Sequence, residues 1–242
     1  MNEHDQLRAD HTPDAIKARV RAATRHSYLG DGILGAIDGT VTTFAIVAAA
    51  SGAGFSSGVA IVFGFANVCA DGFSMAVSNY LNVKSDRQVV ERMRAIEEHH
   101  IDTIPDGERA EVREIFRAKG FEGKTLDHIV DVITDDRQRW LDTMLTEEHG
   151  LQLDMPQPVR AGMTTFLAFL LAGLVPLVVL WWCESFLWSA IATALTFFTI
   201  GVVKARLLGG KVLREGLETL FVGGSAAAVA YLIASLTKDL AS

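Results

Sequence analysis

Five long apolar segments divide the chain, and short or strongly polar stretches separate them. They cover residues 28–50, 58–81, 161–182, 186–203 and 216–236. Each segment is close to the roughly 20 residues that an α-helix needs to cross a bilayer. The pattern predicts an all-α integral membrane protein with five transmembrane helices and a helical insert between the second and the third.

The second apolar segment carries a row of polar side chains. Asn67, Asp71, Met75 and Ser78 follow one another at spacings of four, four and three, which places them on one helical face. A carboxylate in the hydrocarbon core costs at least roughly 2.5 kcal/mol, so such residues usually have a function. This face therefore predicts a polar path through the membrane that can hold a cation.

The first apolar segment carries two carboxylates on one face. Asp31 and Asp38 lie seven residues apart, which is two helical turns, and Thr42 continues the face. Asp38 lies well inside the segment and needs a partner, a proton or a metal ion, whereas Asp31 is nearer the cytoplasmic end. Glycines at 30, 32, 35 and 39 permit close approach of another helix, and packing alone explains them equally well.

The basic residues cluster at three places: residues 17–25, the two ends of the insert, and residues 204–214. Five spans put these clusters on one side, and the turns at 51–58 and 183–185, which contain no Lys or Arg, on the other. The positive-inside rule then predicts a cytoplasmic amino terminus and insert, with the carboxyl terminus external or lumenal. We expect no removable signal peptide in the first 27 residues, and an inner membrane location if the protein is bacterial.

The insert holds all of the net charge. Residues 84–154 contain 11 Lys and Arg against 18 Asp and Glu, which accounts for the whole net charge of −7. An acidic balance argues against a nucleic-acid partner and fits a cation-binding or simply solvated domain. We expect four regions: a polar amino-terminal segment (1–27), transmembrane helices 1–2 (28–83), an acidic cytoplasmic metal-binding domain (84–156) and transmembrane helices 3–5 (157–242).

The insert is expected to form helices at 86–100, 108–119, 126–134 and 135–149, with Asp106 as the cap of the second. Glu97 with His100, and Glu108 with Glu111, are spaced so that each pair can bind one ion from one helix face. Solvated acidic faces are also common, so this pattern alone leaves both readings open. The candidate ligands are Glu97, Glu98, His99, His100, Glu108, Glu111, Glu114, Met144, Glu147, Glu148 and His149.

Three stretches together resemble the vacuolar iron transporter family, the five-helix Fe²⁺/Mn²⁺ carriers. They are LGDGILGAIDGTVTTFAIVAA, ANVCADGFSMAVSNYLNVKS, and the insert with PDGERAEVREIF and WLDTMLTEEHGL. The resemblance covers residue 28 to the carboxyl terminus. It implies a homodimer with the path between its subunits, exchange of metal for protons, and a cytoplasmic three-helix metal-binding domain.

The resemblance also implies roles for individual residues of the path. The first-span aspartate of the family corresponds to Asp38, and a second acidic position nearer the cytoplasm corresponds to Asp31. The second-span methionine corresponds to Met75. Asn67 stands where plant-type members have glutamate, and Asp71, one turn away, either replaces that carboxylate or leaves a path that titrates fewer protons.

In the insert, one family glutamate is replaced by His100, and Leu145 stands where the family has a second methionine beside Met144. An imidazole ligand suits Fe²⁺, Mn²⁺, Zn²⁺ or Co²⁺ and weakens the case for iron alone. The ligand set implied for the insert is Glu97, His100, Glu108, Glu111, Met144 and Glu148.

These residues predict a transporter that moves Fe²⁺, Mn²⁺ or both out of the cytoplasm in exchange for protons. We expect no enzyme activity and no tightly bound cofactor, and expect lipid, divalent metal ions (Zn²⁺ or Co²⁺ included), protons and a second copy as partners. One alternative is a metal-sensing membrane protein. Another is a di-iron oxidase in the insert, although only Glu97–His100 fits the Glu-x-x-His pattern of such enzymes.

Overall fold

The computed structural model describes residue 9 and residues 11–23 and 27–237, and every regular element in that part of the chain is helical. Arg25, assigned above to the first basic cluster, and the carboxyl-terminal residues 238–242 lie outside the described residues. The predicted all-α class is confirmed. The helices are α1 (Pro13–Ala23), α2 (Leu29–Gly52), α3 (Ser57–Thr103), α4 (Pro105–Ala118), α5 (Gly123–Asp135), α6 (Arg137–Thr143), a π-helical turn (Met144–Glu148), α7 (Pro158–Cys183), α8 (Phe186–Leu208) and α9 (Val212–Thr237).

Five of these helices are long and apolar enough to cross a membrane: α2, α3, α7, α8 and α9. This confirms the predicted number of spans. Helix α3 continues without a break for 47 residues to Thr103, so the second span and the first helix of the insert form one helix, as the absence of a breaker between them predicts. No glycine or proline interrupts residues 82–103, and the helix stops only before Pro105, where the preceding residue is pushed out of the helical conformation.

The chain separates into two compact units, each with its own packing. The membrane unit consists of residues 27–81 and 157–242, and the insert unit of residues 1–26 and 82–156. Helix α3 contributes residues to both units.

Glycines on α2 permit backbone contact with α7 inside the membrane unit. A Cβ atom added at Gly35 would lie 2.3 Å from the carbonyl oxygen of Thr165, and one at Gly39 would lie 2.4 Å from that of Phe169. Neither position can hold a larger residue without moving backbone, because real Cβ atoms do not approach carbonyl oxygens so closely. These two glycines therefore serve packing, whereas Gly30 faces open space.

The turn between α7 and α8 requires an uncommon backbone conformation. Glu184 closes α7 with φ at 47°, and within the described residues no other non-glycine has a positive φ. Its N–H group donates to the Leu180 carbonyl and so completes the last turn of the helix. A glycine would adopt this conformation without the steric cost of a Cβ atom.

The insert unit has an apolar core of its own. Fully buried members include Val112 of α4, Trp140 and Leu141 of α6, and Met144 and Leu145 of the π-helical turn. The amphipathic faces of α4 and α5 predicted from their spacing supply this core. The helices of the insert unit therefore share one apolar cluster, and its acidic side chains lie around this cluster.

Two helix starts in the insert differ from expectation. Asp106 is not the cap of α4, because the helix begins at Pro105 and Asp106 lies in its first turn after the capping residue Ile104. Proline at the first helical position needs no hydrogen-bond acceptor, so it displaces the expected cap. The helix predicted for residues 135–149 begins instead after Asp136, whose Oδ1 accepts a hydrogen bond of 2.8 Å from the N–H of Arg139.

Ion pairs fix the register of α6 against the last part of α3. Arg94 Nη2 lies 3.2 Å from Asp142 Oδ1, and Arg137 pairs with Asp102. A hydrogen bond from Arg137 lowers the pKa of Asp102. Exposed pairs of this kind contribute little stability, but they favour one relative position of the two helices.

Candidate functional site

Two overlapping groups of potential ligands meet within the insert unit and share one carboxylate. Glu97, His100 and Glu108 form the first group, and Glu97, Glu148 and His149 form the second. In each group the donor atoms all lie within 4.8 Å of one another. Glu97 comes from α3 and is 2% exposed, so it is the residue that connects the two groups.

Glu108, at the start of α4, is the most deeply buried of these carboxylates. Its exposed fraction is 0%, and neither of its oxygens has a hydrogen-bond partner among the described residues. The imidazole nitrogen Nδ1 of His100 lies 3.3 Å from its Oε1. Burial, together with the negative charges of Glu111 and Glu97, raises the pKa of Glu108 to about 7. A buried carboxyl group without donors calls for a proton or a metal ion.

Glu97 has one oxygen engaged and one free. Oε1 lies 2.9 Å from His149 Nε2 and 4.0 Å from His100 Nδ1. Oε2 is buried and has no hydrogen-bond partner among the described residues. The carboxylate thus faces an imidazole on each side and keeps one oxygen available for a cation.

The π-helical turn brings Glu148 and His149 to the same place. Residues that follow one another in an α-helix point about 100° apart, so they rarely face one site together. The widened turn over Met144–Glu148 and the bond from the His149 N–H to the Met144 carbonyl (3.3 Å) change that spacing. Burial is the main cause that raises the pKa of Glu148, His149 opposes it, and the charges of Glu111 and Glu97 add to the rise.

Two residues of the expected ligand set stand apart from these groups. Glu111 is exposed, and it acts on the cluster through its charge, which raises the pKa of both Glu108 and Glu148. Met144 is fully buried and belongs to the apolar core. The described geometry therefore joins Glu97, His100, Glu108 and Glu148, places Glu111 at their edge, and gives Met144 a packing environment.

A second polar group lies within the membrane unit and connects three spanning helices. Asn79 of α3 donates through Nδ2 to Asp31 Oδ1 of α2 and to Thr165 Oγ1 of α7, both at 2.8 Å. Thr165 in turn donates to the Ala161 carbonyl at 3.1 Å. The amide of Asn79 therefore holds the Asp31 carboxylate in one orientation. Its position near the end of the span would also have been compatible with a freely solvated carboxylate.

The remaining residues that the sequence predicts for the path lie on α2 and α3. Asp38 and Met75 are half-buried, and Asp71 is exposed. Asn67 is half-buried, and its Nδ2 has no hydrogen-bond partner among the described residues. Asn67 also lines an open groove of the membrane unit together with Phe63.

The model of the VIT family matches residues 29–235 of this sequence. The chain belongs to the VIT family. Vacuolar iron transporter 1 of Arabidopsis thaliana is 33% identical over 215 residues, which cover 86% of this chain and 85% of that protein. Vacuolar iron transporter 1 of Oryza sativa subsp. japonica is 31% identical over 223 residues, covering 90% and 88%. The Vacuolar iron transporter of Toxoplasma gondii is 30% identical over 229 residues, covering 89% and 76%.

Two residues of this VIT-family protein contact predicted site residues although neither belongs to the predicted ligand set: His149 contacts Glu97, and Asn79 contacts Asp31. His149 was one of many acidic and imidazole candidates in the insert, and the family resemblance left it out. Asn79 follows Ser78 in the second apolar segment, and its spacing alone assigns it no role. The sequence holds a signal for each, an imidazole directly after two glutamates and an amide in an apolar segment, but neither signal identifies Glu97 or Asp31 as the partner.

Proposed function

We propose that this VIT-family membrane protein transports a divalent metal ion, Fe²⁺ or Mn²⁺, out of the cytoplasm in exchange for protons. The observation that carries the proposal is the pair of carboxylates, Asp31 and Asp38, within the apolar spanning helix α2. Charged groups at membrane depth mark ion pathways or proton relays. The relatives named as vacuolar iron transporters support iron as cargo.

The insert, residues 84–156, would collect metal from the cytoplasm. Glu97, His100, Glu108 and Glu148 supply carboxylate and imidazole donors, and the buried oxygens of Glu97 and Glu108 lack other partners. Carboxylates with a few nitrogen ligands suit Fe²⁺, Mn²⁺, Co²⁺ and Zn²⁺. Glu111 would add negative charge that attracts the cation, and Met144 would contribute mainly by packing.

The path would run along the faces of α2 and α3 that carry Asp31, Asp38, Asn67, Asp71 and Met75. Asp38 supplies charge, and the thioether of Met75 favours Fe²⁺ or Mn²⁺ over Mg²⁺ and Ca²⁺, which take oxygen ligands only. Asp71 would replace the carboxylate that is missing at Asn67. Asp71 lies one helical turn from Asn67 on α3, which supports this role.

A second copy of the chain would complete the path. Asp71, Ser74 and Ser78 are exposed on a helix that crosses the membrane. Polar groups at that depth face protein or a water-filled cavity rather than lipid tails. A symmetric dimer that buries this face would present Asp38 and Met75 twice around one axis.

Exchange for protons would follow from the chemistry of these carboxylates. In a site of low polarity a carboxylate is neutralised by either a proton or a metal ion, so metal binding releases protons and proton binding releases metal. With Lys204, Arg206, Lys211 and Arg214 on the cytoplasmic side, metal would enter from the insert and leave on the opposite face.

Reconstitution of the full-length protein into liposomes tests the proposal. Fe²⁺, Mn²⁺, Co²⁺ and Zn²⁺ are added outside in turn, and internal dyes report metal and pH. We expect metal uptake with proton counter-flow. Asp38→Asn should abolish uptake, whereas Glu122→Gln, a control at an exposed acidic position outside the spanning helices, should not change it.

The double variant Glu108→Gln, Glu111→Gln separates capture from passage. It should lower metal binding by the full-length protein, while Asp38→Asn should leave the insert loaded. Uptake that ignores the pH gradient and moves no protons would contradict the exchange step. Metal binding without any uptake would support a metal sensor instead, and stoichiometric oxidation of Fe²⁺ would support a di-iron oxidase.

A further inference from the structure

We propose that His149 is a metal ligand and that, together with His100, it makes the insert select Fe²⁺, Co²⁺ and Zn²⁺ over Mn²⁺. This inference rests on the proposed capture of metal by the insert and specifies which metals are captured. Imidazole favours the later transition metals, whereas carboxylate and water suit Mn²⁺, Mg²⁺ and Ca²⁺. Each imidazole in the site therefore widens the difference in affinity between these ions.

The distances fit two ligands on one ion. Ligands about 2.1 Å from a metal are about 3.0 Å apart at a right angle and about 3.4 Å apart at a tetrahedral angle. His149 Nε2 lies 2.9 Å from Glu97 Oε1 and 3.7 Å from Glu148 Oε2. His100 Nδ1 lies 3.3 Å from Glu108 Oε1. The ring nitrogens thus lie at the spacing that shared coordination requires.

Buried oxygens without partners point to a cation rather than to hydrogen bonds alone. The Glu108 side chain is fully buried with both oxygens lacking a hydrogen bond, and Glu97 keeps Oε2 buried and unpartnered. Leaving such acceptors unsatisfied costs about 1–3 kcal/mol each. A cation beside His149 and one beside His100, in the two groups that share Glu97, would satisfy these acceptors.

The competing reading is that His149 only donates a hydrogen bond to Glu97. The variant His149→Gln distinguishes the two, because the glutamine amide can still donate to Glu97 but offers no imidazole nitrogen. A histidine on the exposed side of α5 provides the matched control His128→Gln. Both variants remove one imidazole from the insert, and only one removes it from the cluster.

The experiment removes the other imidazole of the cluster with His100→Gln, loads full-length protein in detergent with one equivalent of Cu²⁺, and counts coordinated imidazoles by pulsed electron paramagnetic resonance. We expect one imidazole in His100→Gln and when His128→Gln is added to it, and none when His149→Gln is added. In parallel titrations with Co²⁺ and Mn²⁺, His149→Gln should weaken Co²⁺ binding about tenfold or more and change Mn²⁺ binding much less.

An unchanged imidazole count and an unchanged ratio of Co²⁺ to Mn²⁺ affinity in His149→Gln would overturn the inference and leave the proposed transport intact. Wild-type protein that binds none of these metals in the insert would overturn the proposed capture step itself. A His149→Gln protein that melts at the wild-type temperature with one imidazole fewer supports ligation and excludes a loss of structure.

Discussion

Replacing Glu108 with glutamine tests whether a buried carboxyl group makes metal binding by the insert depend on pH near neutrality. Burial and the charges of Glu111 and Glu97 raise the pKa of Glu108 from 4.5 to about 7. The proton must leave before Glu108 can bind a cation as carboxylate. Metal affinity should therefore rise with pH up to about 7 and then level off.

The size of the effect follows from this pKa. At pH 8 about one tenth of a carboxyl group of pKa 7 is protonated, and at pH 6 about ten elevenths, so apparent affinity falls about tenfold, or about 1.4 kcal/mol. A carboxyl group with the ordinary value of 4.5 would change affinity by only a few per cent over the same range.

The same shift predicts how pH affects the stability of the metal-free protein. Between pH 4.5 and about 7 the folded state binds more protons at Glu108 than the unfolded state does, so stability falls as pH rises through this window. Above pH 7 the full cost is about 3 kcal/mol, from about 1.4 kcal/mol for each unit of pKa. Glu108→Gln should remove this loss, which thermal unfolding at pH 5 and pH 8 measures.

The main assay is calorimetric titration of full-length protein in detergent with Co²⁺ at pH 6, 7 and 8. Imidazoles also titrate near neutrality, so the informative quantity is the difference in pH dependence between wild type and Glu108→Gln. Glu114→Gln, an exposed position on the same helix, is the matched control and should keep the wild-type pH dependence. An equally steep pH dependence in Glu108→Gln would refute the reasoning.

Three further predictions concern the membrane unit. Asn79→Leu removes the amide that orients Asp31 and should slow metal uptake into liposomes about tenfold, and wild-type uptake would contradict a positioning role. Gly39→Ala places a methyl group 2.4 Å from a carbonyl oxygen of α7 and should cost about 1–3 kcal/mol, seen as a lower melting temperature, whereas Gly30→Ala, with open space around it, should not destabilise. Glu184→Gly relieves a left-handed backbone conformation and should raise the melting temperature slightly, and a lower value would show that its side chain stabilises the turn.

The candidate metal site could be predicted from sequence only as far as local spacing extends. Glu97 and His100 are one helical turn apart, so their proximity follows from the helix alone. Glu108 is separated from them by the break at Pro105, and Glu148 was assigned by family resemblance. The meeting of Glu148 and His149 with Glu97 depends on the π-helical turn, for which the spacing of polar residues gave no indication.

The solvent exposure of the acidic side chains on α4 could not be predicted without the tertiary structure. The sequence offered Glu108 and Glu111 as an equivalent pair, yet the structure buries one carboxylate completely and leaves the other in water. The packing of α4 on the remaining helices of the insert decides that Glu108, and not Glu111, is buried beside the apolar core. The raised pKa of Glu108 is a consequence of that packing and could not be assigned from residue type.

The sequence by itself determined the number of spanning helices, the acidic insert and the helical face that carries Asn67, Asp71 and Met75, because hydrophobic length and helical periodicity are local properties. It also carried the family motifs that made a metal carrier the leading prediction. Tertiary structure decided which distant side chains meet: Asn79 with Asp31 and Thr165, and His149 with Glu97. Such contacts depend on helix register, which backbone contact at Gly35 and Gly39 fixes in the membrane unit and ion pairs help to fix in the insert unit.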